Sequence, residues 1–518
     1  MIRIIQVPIT TEKRAFQVNK RDHRILRRDK RNLETRLERK QYADQPKPMF
    51  RGGRIAFEMA DRVRAIGYGG IGAVHTLVRR LRLDRGINES VELLKFHVPY
   101  HESDHVLNIA YNVLAGGTAL EDIERLRNDE TYTDGLGAER IPDPTTAGDF
   151  LRRFDARDIV ALQETFNETR RNLWLRQSPS FREEAVLDVD GTIAGTQGEC
   201  KEGMDISYKG IWGYAPLIVT LANTNEVLYV VNRSGNRPSS DGAAEWIDRA
   251  IDRVAPHFEK VRLRGDTDFS LTENFDRWDE RAKFVFGYDA YANIVRRADN
   301  LPERLWKRLR RPPRYEVKTE ERTRPENVKE KIVKEREFEN IRLRSEDVAE
   351  FEYRPTNCHK TYRMVVVRKN LTVEKGETRL FDDIRYFFYI TNDREMTAEE
   401  VVFSANDRCN QENVIGQLKS GVNAFRVPSD SLNSNWAYMV IAALAWNLKA
   451  WFGLMASTTN LRNTILRMEF KTFVNAFILI PCQIVNTGRK LIYRVLTYSR
   501  SLEDFFSVFD CIRRLRFA

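Results

Sequence analysis

Two apolar runs that each end on an aspartate constrain this chain most. Ala185-Val186-Leu187-Asp188-Val189-Asp190 is closed by Gly191-Thr192, and Val261-Arg262-Leu263-Arg264-Gly265 is closed by Asp266. Short runs rich in Val and Leu, bounded by turn residues, predict strands. An aspartate at the end of each leaves its carboxylate open to solvent. A third acid, Glu412, lies in Arg408-Cys-Asn-Gln-Glu412, with Lys419 seven residues on. At 3.6 residues per turn, Arg408, Glu412 and Lys419 share one face of a helix. Two strand-end aspartates and a helix-borne glutamate are a common way to hold two divalent metals for phosphodiester chemistry. Two such ions, roughly 3.5–4 Å apart, clamp the attacking and leaving oxygens of an in-line displacement. Mg2+ favours carboxylate and water oxygens, so two Mg2+ ions are expected, with Mn2+ as a substitute.

Asp188 lies two residues before Asp190, so the two side chains share a face of the strand. Burying Asp188 unpaired is costly, and a donor or a metal beside it is expected. Asp188 is therefore carried as a further metal ligand, behind Asp190, Asp266 and Glu412. Each feature also has a plain reading. A turn aspartate at a strand end is common, and Arg408 with Glu412 is an ordinary i,i+4 pair on a surface helix. The combination carries the signal.

The chain has 518 residues and a net charge of +10. That length predicts two to four domains, and the charge predicts a polyanionic partner. Lys and Arg crowd residues 13–40, a segment suited to phosphate binding through counterion release. The five cysteines are scattered without a CxxC pair. This argues against a cysteine zinc site or a disulfide framework and fits a reducing cytoplasm. The opening MIRIIQVPIT turns charged at once, which predicts no signal peptide. Ala437 to Met455 is apolar but interrupted by Asn447 and Lys449, so it reads as a buried helix more than a membrane span, and no membrane partner is expected. His101 and His105 are four apart, a spacing that suits Zn2+, but no third ligand is evident nearby; a polar helix start is the plainer reading. Trp436, Trp446 and Trp451, at helical spacing, read as core. Tyr353, Tyr362 and Trp306 are aromatics able to stack on an unpaired base, with core or surface packing the plainer reading.

The pattern along the chain predicts an α/β protein in six stretches: a basic arm (1–45), a helical DNA-binding region (46–178), the first part of a sheet domain (179–299), a β-rich insertion (300–392), the second part of the sheet domain with the glutamate helix (393–455), and a C-terminal helical region (456–518). Helices are expected at Ile55–Ile66, Ser90–Phe96, Val106–Leu114 and Thr118–Asn128. Asp143-Pro-Thr-Thr146 marks a further helix start before Phe150; followed by arginines, that helix is a candidate for a DNA groove. From Thr397 to the end the chain reads as helical.

These pieces resemble the DDE transposases of bacterial insertion sequences, in the ribonuclease H-like superfamily. The similarity is to the branch with a β-rich insertion between the second aspartate and the glutamate. It rests on Leu187-Asp-Val-Asp-Gly-Thr192, Arg233-Ser-Gly-Asn236, Arg264-Gly-Asp-Thr-Asp-Phe269 and the Arg-x3-Glu-x6-Lys of 408–419. Gly116-Gly-Thr-Ala-Leu-Glu-Asp122, Asp143-Pro-Thr-Thr146 and Tyr362-Arg-Met-Val-Val-Val-Arg368 add to it. The resemblance implies a ribonuclease H-like sheet domain and catalytic metal ligands at Asp190, Asp266 and Glu412. It implies contacts of Arg408 and Lys419 to DNA phosphates. It also implies double-stranded DNA partners (transposon ends and target), a homodimer in the synaptic complex and a place at the nucleoid. The implied reaction is cut-and-paste transposition by metal-dependent cleavage and strand transfer. A transposase-derived DNA-binding protein with weakened catalysis and another ribonuclease H-like nuclease are the alternatives. One position departs from the family: the usual Tyr three residues before the Arg is Ala405.

Overall fold

The computed structural model describes residues 20–37, 55–61, 63–198, 200–310, 342–374, 377–488 and 490–516. Residues 1–19 and 38–45 of the basic arm, and 311–341 of the highly charged run 300–347, lie outside them. The chain divides into two compact units. One comprises Trp174–Lys419 with Phe425–Val440; the other comprises Met1–Leu173, Ser420–Ala424 and Ile441–Ala518.

The first unit is built on a nine-stranded sheet. Five strands form its heart. Glu184–Gly191 is central, flanked on one side by antiparallel Leu217–Leu221 and then Glu226–Val231, and on the other by parallel Lys260–Gly265 and then Lys283–Tyr288. Near-continuous apolar runs suit strands covered on both faces, and Leu217–Leu221 and Glu226–Val231 are buried at every position. The strand patterns of the insertion, at Val348–Tyr353, Tyr362–Arg368 and Arg385–Thr391, lie within three longer strands, Arg342–Tyr353, Tyr362–Glu374 and Glu377–Thr391. They continue the same sheet, because Glu377–Thr391 pairs antiparallel with Lys283–Tyr288 in the register Phe388 to Tyr288 and Thr391 to Val285. Val285, Val348, Val365, Val367, Val401 and Val402 close a shared core beneath this extension.

The second unit is mostly helical. Helix Glu102–Leu114 is buried along nearly its whole length, and Pro144–Leu151 is capped by Asp143, whose Oδ1 accepts from the Thr146 amide at 2.9 Å. Three expectations fail here. Residues 55–61 form no helix: Ile55, Phe57 and Met59 alternate with period two and are exposed, and the chain then makes a short strand at Ala65–Ile66. The helix Leu83–Ser90 ends where a new one was expected, because the Leu93 and Leu94 amides donate to the Glu102 carboxylate at 3.1 and 2.9 Å. The C-terminal region is not helical throughout. Cys482–Thr487 and Lys490–Val495 form a hairpin, and its first strand pairs with Ala65–Ile66. Gly488, with φ of 49°, supplies the left-handed turn position that the helical reading overlooked.

The 23-residue helix Leu432–Leu454 is long and apolar enough to cross a membrane, yet it is buried throughout. Its Lys449 ammonium donates to the Leu466 carbonyl at 2.9 Å and lies 3.9 Å from the Trp446 ring centre. Burial lowers Lys449 to about 7. Between pH 7 and the ordinary lysine range the unfolded chain therefore holds a proton that the folded chain lacks, so stability rises with pH across that window. We expect Lys449→Met to remove a slope of about 1 kcal/mol per pH unit above pH 7. Urea midpoints of both proteins at pH 6, 7, 8 and 9 measure it, and parallel curves would dismiss the buried charge.

Candidate active site

The parallel register sets Asp188 beside Arg264 on the neighbouring strand. Their side chains make a buried two-pronged pair, Arg264 Nε to Asp188 Oδ1 at 2.7 Å and Arg264 Nη2 to Oδ2 at 2.9 Å. Asp188 thus finds a donor, and both its oxygens are engaged. Of the two partners that its burial called for, a donor or a metal, the structure places the donor beside Asp188.

Two residues further along each strand stand Asp190 and Asp266. The same offset on adjacent parallel strands brings both to the carboxyl ends of the strands and to one face. Asp266 caps the turn Thr267–Phe269, accepting from the Asp268 amide at 3.0 Å. Gly287 lets this turn lie against the next strand, since a Cβ there would sit 3.0 Å from the Thr267 amide nitrogen. Asp190 meets Arg408, whose Nη1 donates to Oδ2 at 3.1 Å.

The chain segment carrying the glutamate crosses three strands in order. Ser404 receives Arg264 Nη1 at its carbonyl, 3.1 Å away, over Lys260–Gly265. Arg408 lies at Asp190 on the central strand. Gln411 is buried, accepts from Thr220 Oγ1 and donates to the Ile218 carbonyl at 3.3 Å on Leu217–Leu221. Gln411 therefore positions its neighbour Glu412, a role the sequence gave no sign of, because a glutamine in a charged helix reads as surface.

The single helix expected here is two helices, Ala398–Asp407 and Cys409–Ser420, with Arg408 as the link. The Gln411 amide bonds the Arg408 carbonyl at 2.8 Å, an i to i+3 turn tighter than α. Ala405 therefore does not continue the face of Glu412. It packs against the valine core under the extended sheet. We expect Ala405→Tyr to destabilise the protein by about 1–3 kcal/mol through overpacking and to leave DNA-end binding no tighter. A variant of unchanged melting temperature with tighter end binding would show that the side chain reaches the DNA face after all.

The electrostatics describe a cluster of like charges. Burial pushes the Asp190 carboxyl up to about 6 against the pull of Arg408, and Asp266 and Glu412 add to the rise. Burial also raises Asp266, again opposed by Arg408, with Asp268 and Asp289 adding to it. Glu412 itself is exposed. Burial lowers the Lys419 ammonium, Lys209 lowers it further, and Asp190 acts in the opposite sense. Asp190 thus feels the other two acids, with Arg408 as the cation in contact with it. Carboxylate oxygens with no Cys or His among them fit a hard divalent ion.

Beside Asp190 opens a cavity of about 220 Å3 with Gly191 and Thr192 in its wall. Lys209, Arg233, Arg237 and Lys419 line it, and no acidic residue does. Arg233 is fixed by the carbonyls of Ala215, Ser239 and Asp241 at 2.9, 3.0 and 2.6 Å. Of these cations the sequence singled out Lys419 for phosphate contact and Arg233 only as part of a motif. Lys209 and Arg237 come into view once the fold gathers the loops.

Other candidates resolve differently. Tyr362 is buried and donates to Asp276 at 2.6 Å; Tyr353 packs edge-on to Tyr288; Arg368 covers the Trp306 ring at 4.3 Å. Trp436, Trp446 and Trp451 are buried as expected. Phe150 and Leu151 of helix Pro144–Leu151 face the interior. His105 stacks on Phe150 with ring centres 4.3 Å apart, and burial lowers it to about 4; it does not join His101 in a pair of ligands. All five cysteines are free.

A central strand with antiparallel neighbours on one side and parallel neighbours on the other, crossed by a helix bearing an acid, defines a ribonuclease H-like fold. Residues 64–517 match the family described as transposase DDE domain group 1, and the chain belongs to that family of DDE transposases. DDE transposases use divalent metal ions. Among solved structures the chain is similar to a piggyBac transposase synaptic complex with hairpin DNA, at 11% identity and a TM-score of 0.37 over 80% of this chain and 82% of that one. No curated protein matches the chain.

Proposed function

We propose that this transposase excises and reinserts an insertion sequence by cut-and-paste, using Asp190, Asp266 and Glu412 to hold two Mg2+ ions. The observation that carries the reading is the placing of Asp190 and Asp266 at the carboxyl ends of two neighbouring parallel strands, with the segment of Glu412 held over the same sheet by Arg408 and Gln411. Bound divalent ions supply charge neutralisation and a more acidic water at the reacting phosphate.

The remaining parts of the reaction fall to the chain's own side chains. Arg408, now on Asp190, is free to turn to a DNA phosphate once that carboxylate has another partner. Lys419, Lys209 and Arg237 receive the phosphates of the cleaved strand, and Gln411 keeps Glu412 in place. Water attacks the phosphodiester at the element end, and the 3′-oxygen leaves and takes up a proton. That 3′-hydroxyl then attacks a second phosphodiester in the other strand or in target DNA, forming one P–O bond as another breaks. No serine or tyrosine nucleophile is required.

Helix Lys20–Leu37 carries eight Lys and Arg against three acids (Asp22, Asp29 and Glu34) and is exposed along most of its length. We assign it to DNA phosphates, with a homodimer bringing the two ends together in a bacterial cytoplasm. Deleting residues 1–45 is expected to weaken DNA binding and flatten the slope of log affinity against log salt; an unchanged slope would place the arm away from DNA.

The reading as a whole is tested with purified protein and a DNA fragment carrying the gene's flanking inverted repeats. Mg2+ or Mn2+ should yield excised ends bearing 3′-hydroxyls and joined target products, while Ca2+ should support binding alone. Nicking without any joined product would favour a ribonuclease H-like nuclease instead.

A further inference from the structure

A second ligand set lies in the helical unit, away from the catalytic carboxylates in both sequence and chemistry. Among the described residues, His97, His101 and Glu102 offer one imidazole nitrogen or carboxylate oxygen each, and these atoms lie within 4.8 Å of one another. His97 Nε2 is 3.1 Å from Glu102 Oε2. The His97 and His101 rings are stacked 4.2 Å apart and 19° from parallel. Glu102 is almost fully buried, and its other oxygen, Oε1, takes the amides of Leu93 and Leu94. Burial alone would raise its carboxyl; those amides hold it below the usual range, so it stays ionised.

We propose that His97, His101 and Glu102 bind one Zn2+ ion that pins the loop 91–100 to the start of helix Glu102–Leu114. Two imidazoles and a carboxylate suit borderline Zn2+ and are poor ligands for Mg2+. Three protein ligands leave a fourth position for water. The rigid member of the set is Glu102, fixed by the backbone it caps. The adaptable members are the two exposed histidines, which need only turn about their side-chain bonds to aim a nitrogen at the ion that replaces the His97–Glu102 hydrogen bond. Binding requires both imidazoles neutral, while Glu102 has no proton to lose. The sequence pointed to His101 with His105, but His105 is buried on Phe150; the partner is His97, brought alongside by the turn before the helix. The same loop presents Phe96 and Val98, each more than four-fifths exposed, so the ion orders a loop with little packing of its own.

The test uses the full-length protein stripped with a chelator and titrated with ZnCl2 alone by calorimetry, with Co2+ as a spectroscopic probe. One tight site per chain is expected, together with visible Co2+ bands of a four-coordinate nitrogen and oxygen site. His97→Gln and His101→Gln should each weaken Zn2+ by at least about 10–100-fold. They should retain the far-ultraviolet spectrum of the parent, because both side chains are exposed. The Asp190→Asn, Asp266→Asn double variant should keep the tight site, which separates it from the catalytic metals. A tight site lost in that double variant and kept in both histidine variants would overturn the proposal, as would the absence of any tight Zn2+ site in the parent protein. The proposal does not depend on the transposition reading, and neither result bears on the other.

Discussion

Alanine at Asp190, Asp266 or Glu412 is expected to abolish DNA cleavage while leaving DNA binding in place. Each carboxylate is assigned to the metals that neutralise the reacting phosphate, a contribution of several kcal/mol. At 1.36 kcal/mol per tenfold in rate, the loss is about a thousandfold or more for each variant. The proposed DNA contacts are Arg408, Lys419 and the cavity cations, which these changes leave in place, so a gel-shift assay in Ca2+ should show the ends still bound. A variant at Asp266 that nicks its ends at the parental rate would remove that residue from the site. A pH dependence accompanies this result. Because the Asp190 carboxyl titrates near 6 in the metal-free protein, a proton competes with the ion below that pH. Mg2+ affinity should be flat above pH 7 and fall as pH drops through 6. Affinity independent of pH down to 5 would mean that Asp190 is already ionised there.

Loss of Arg264 should unfold the protein more readily than any other single change at the site. Asp188 is 1% exposed, and Arg264 is its paired cation. Arg264→Ala leaves a buried carboxylate without its partner, at a cost of about 3–5 kcal/mol. It also releases the Ser404 carbonyl, and with it one of the three anchors of the glutamate segment. Replacing the pair together, Asp188→Leu with Arg264→Met, should recover most of the stability, since buried ion pairs are often matched by apolar residues of similar volume. Urea unfolding of the single and double variants measures both effects. An Arg264→Ala loss below about 1 kcal/mol, the level of an exposed pair, would contradict the buried geometry.

Much of this was legible in the chain itself. The runs ending on Asp190 and Asp266 became parallel neighbours because each is a short apolar strand with a turn behind it. The strands of the insertion were legible in part, at Val348–Tyr353, Tyr362–Arg368 and Arg385–Thr391, while their full lengths were not. What escaped were pairings between distant residues. Nothing near Gln411 announces that it will sit over Thr220, and nothing near Arg264 announces the partner at Asp188, since both contacts depend on strand register. The break at Arg408 escaped because Asp407-Arg408-Cys409 contains neither proline nor glycine; the tight turn is imposed by contacts on either side of it. Ile55, Phe57 and Met59 misled because three apolar residues in so short a stretch satisfy more than one period. The hairpin at 482–495 was masked by the helices before and after it.

The extension joins the sheet only at Lys283–Tyr288, an edge of the five-stranded heart. Its nearest strand, Glu377–Thr391, is three positions from the strand of Asp190, about 14 Å at the usual 4.7–4.9 Å spacing. A sheet that grows at this edge leaves the register of the two aspartates untouched. The extension still reaches the glutamate segment, because Val401 and Val402 of helix Ala398–Asp407 share a core with Val348, Val365 and Val367 of its strands. The two aspartates thereby depend on the five-stranded heart, and the glutamate segment depends on the extension as well.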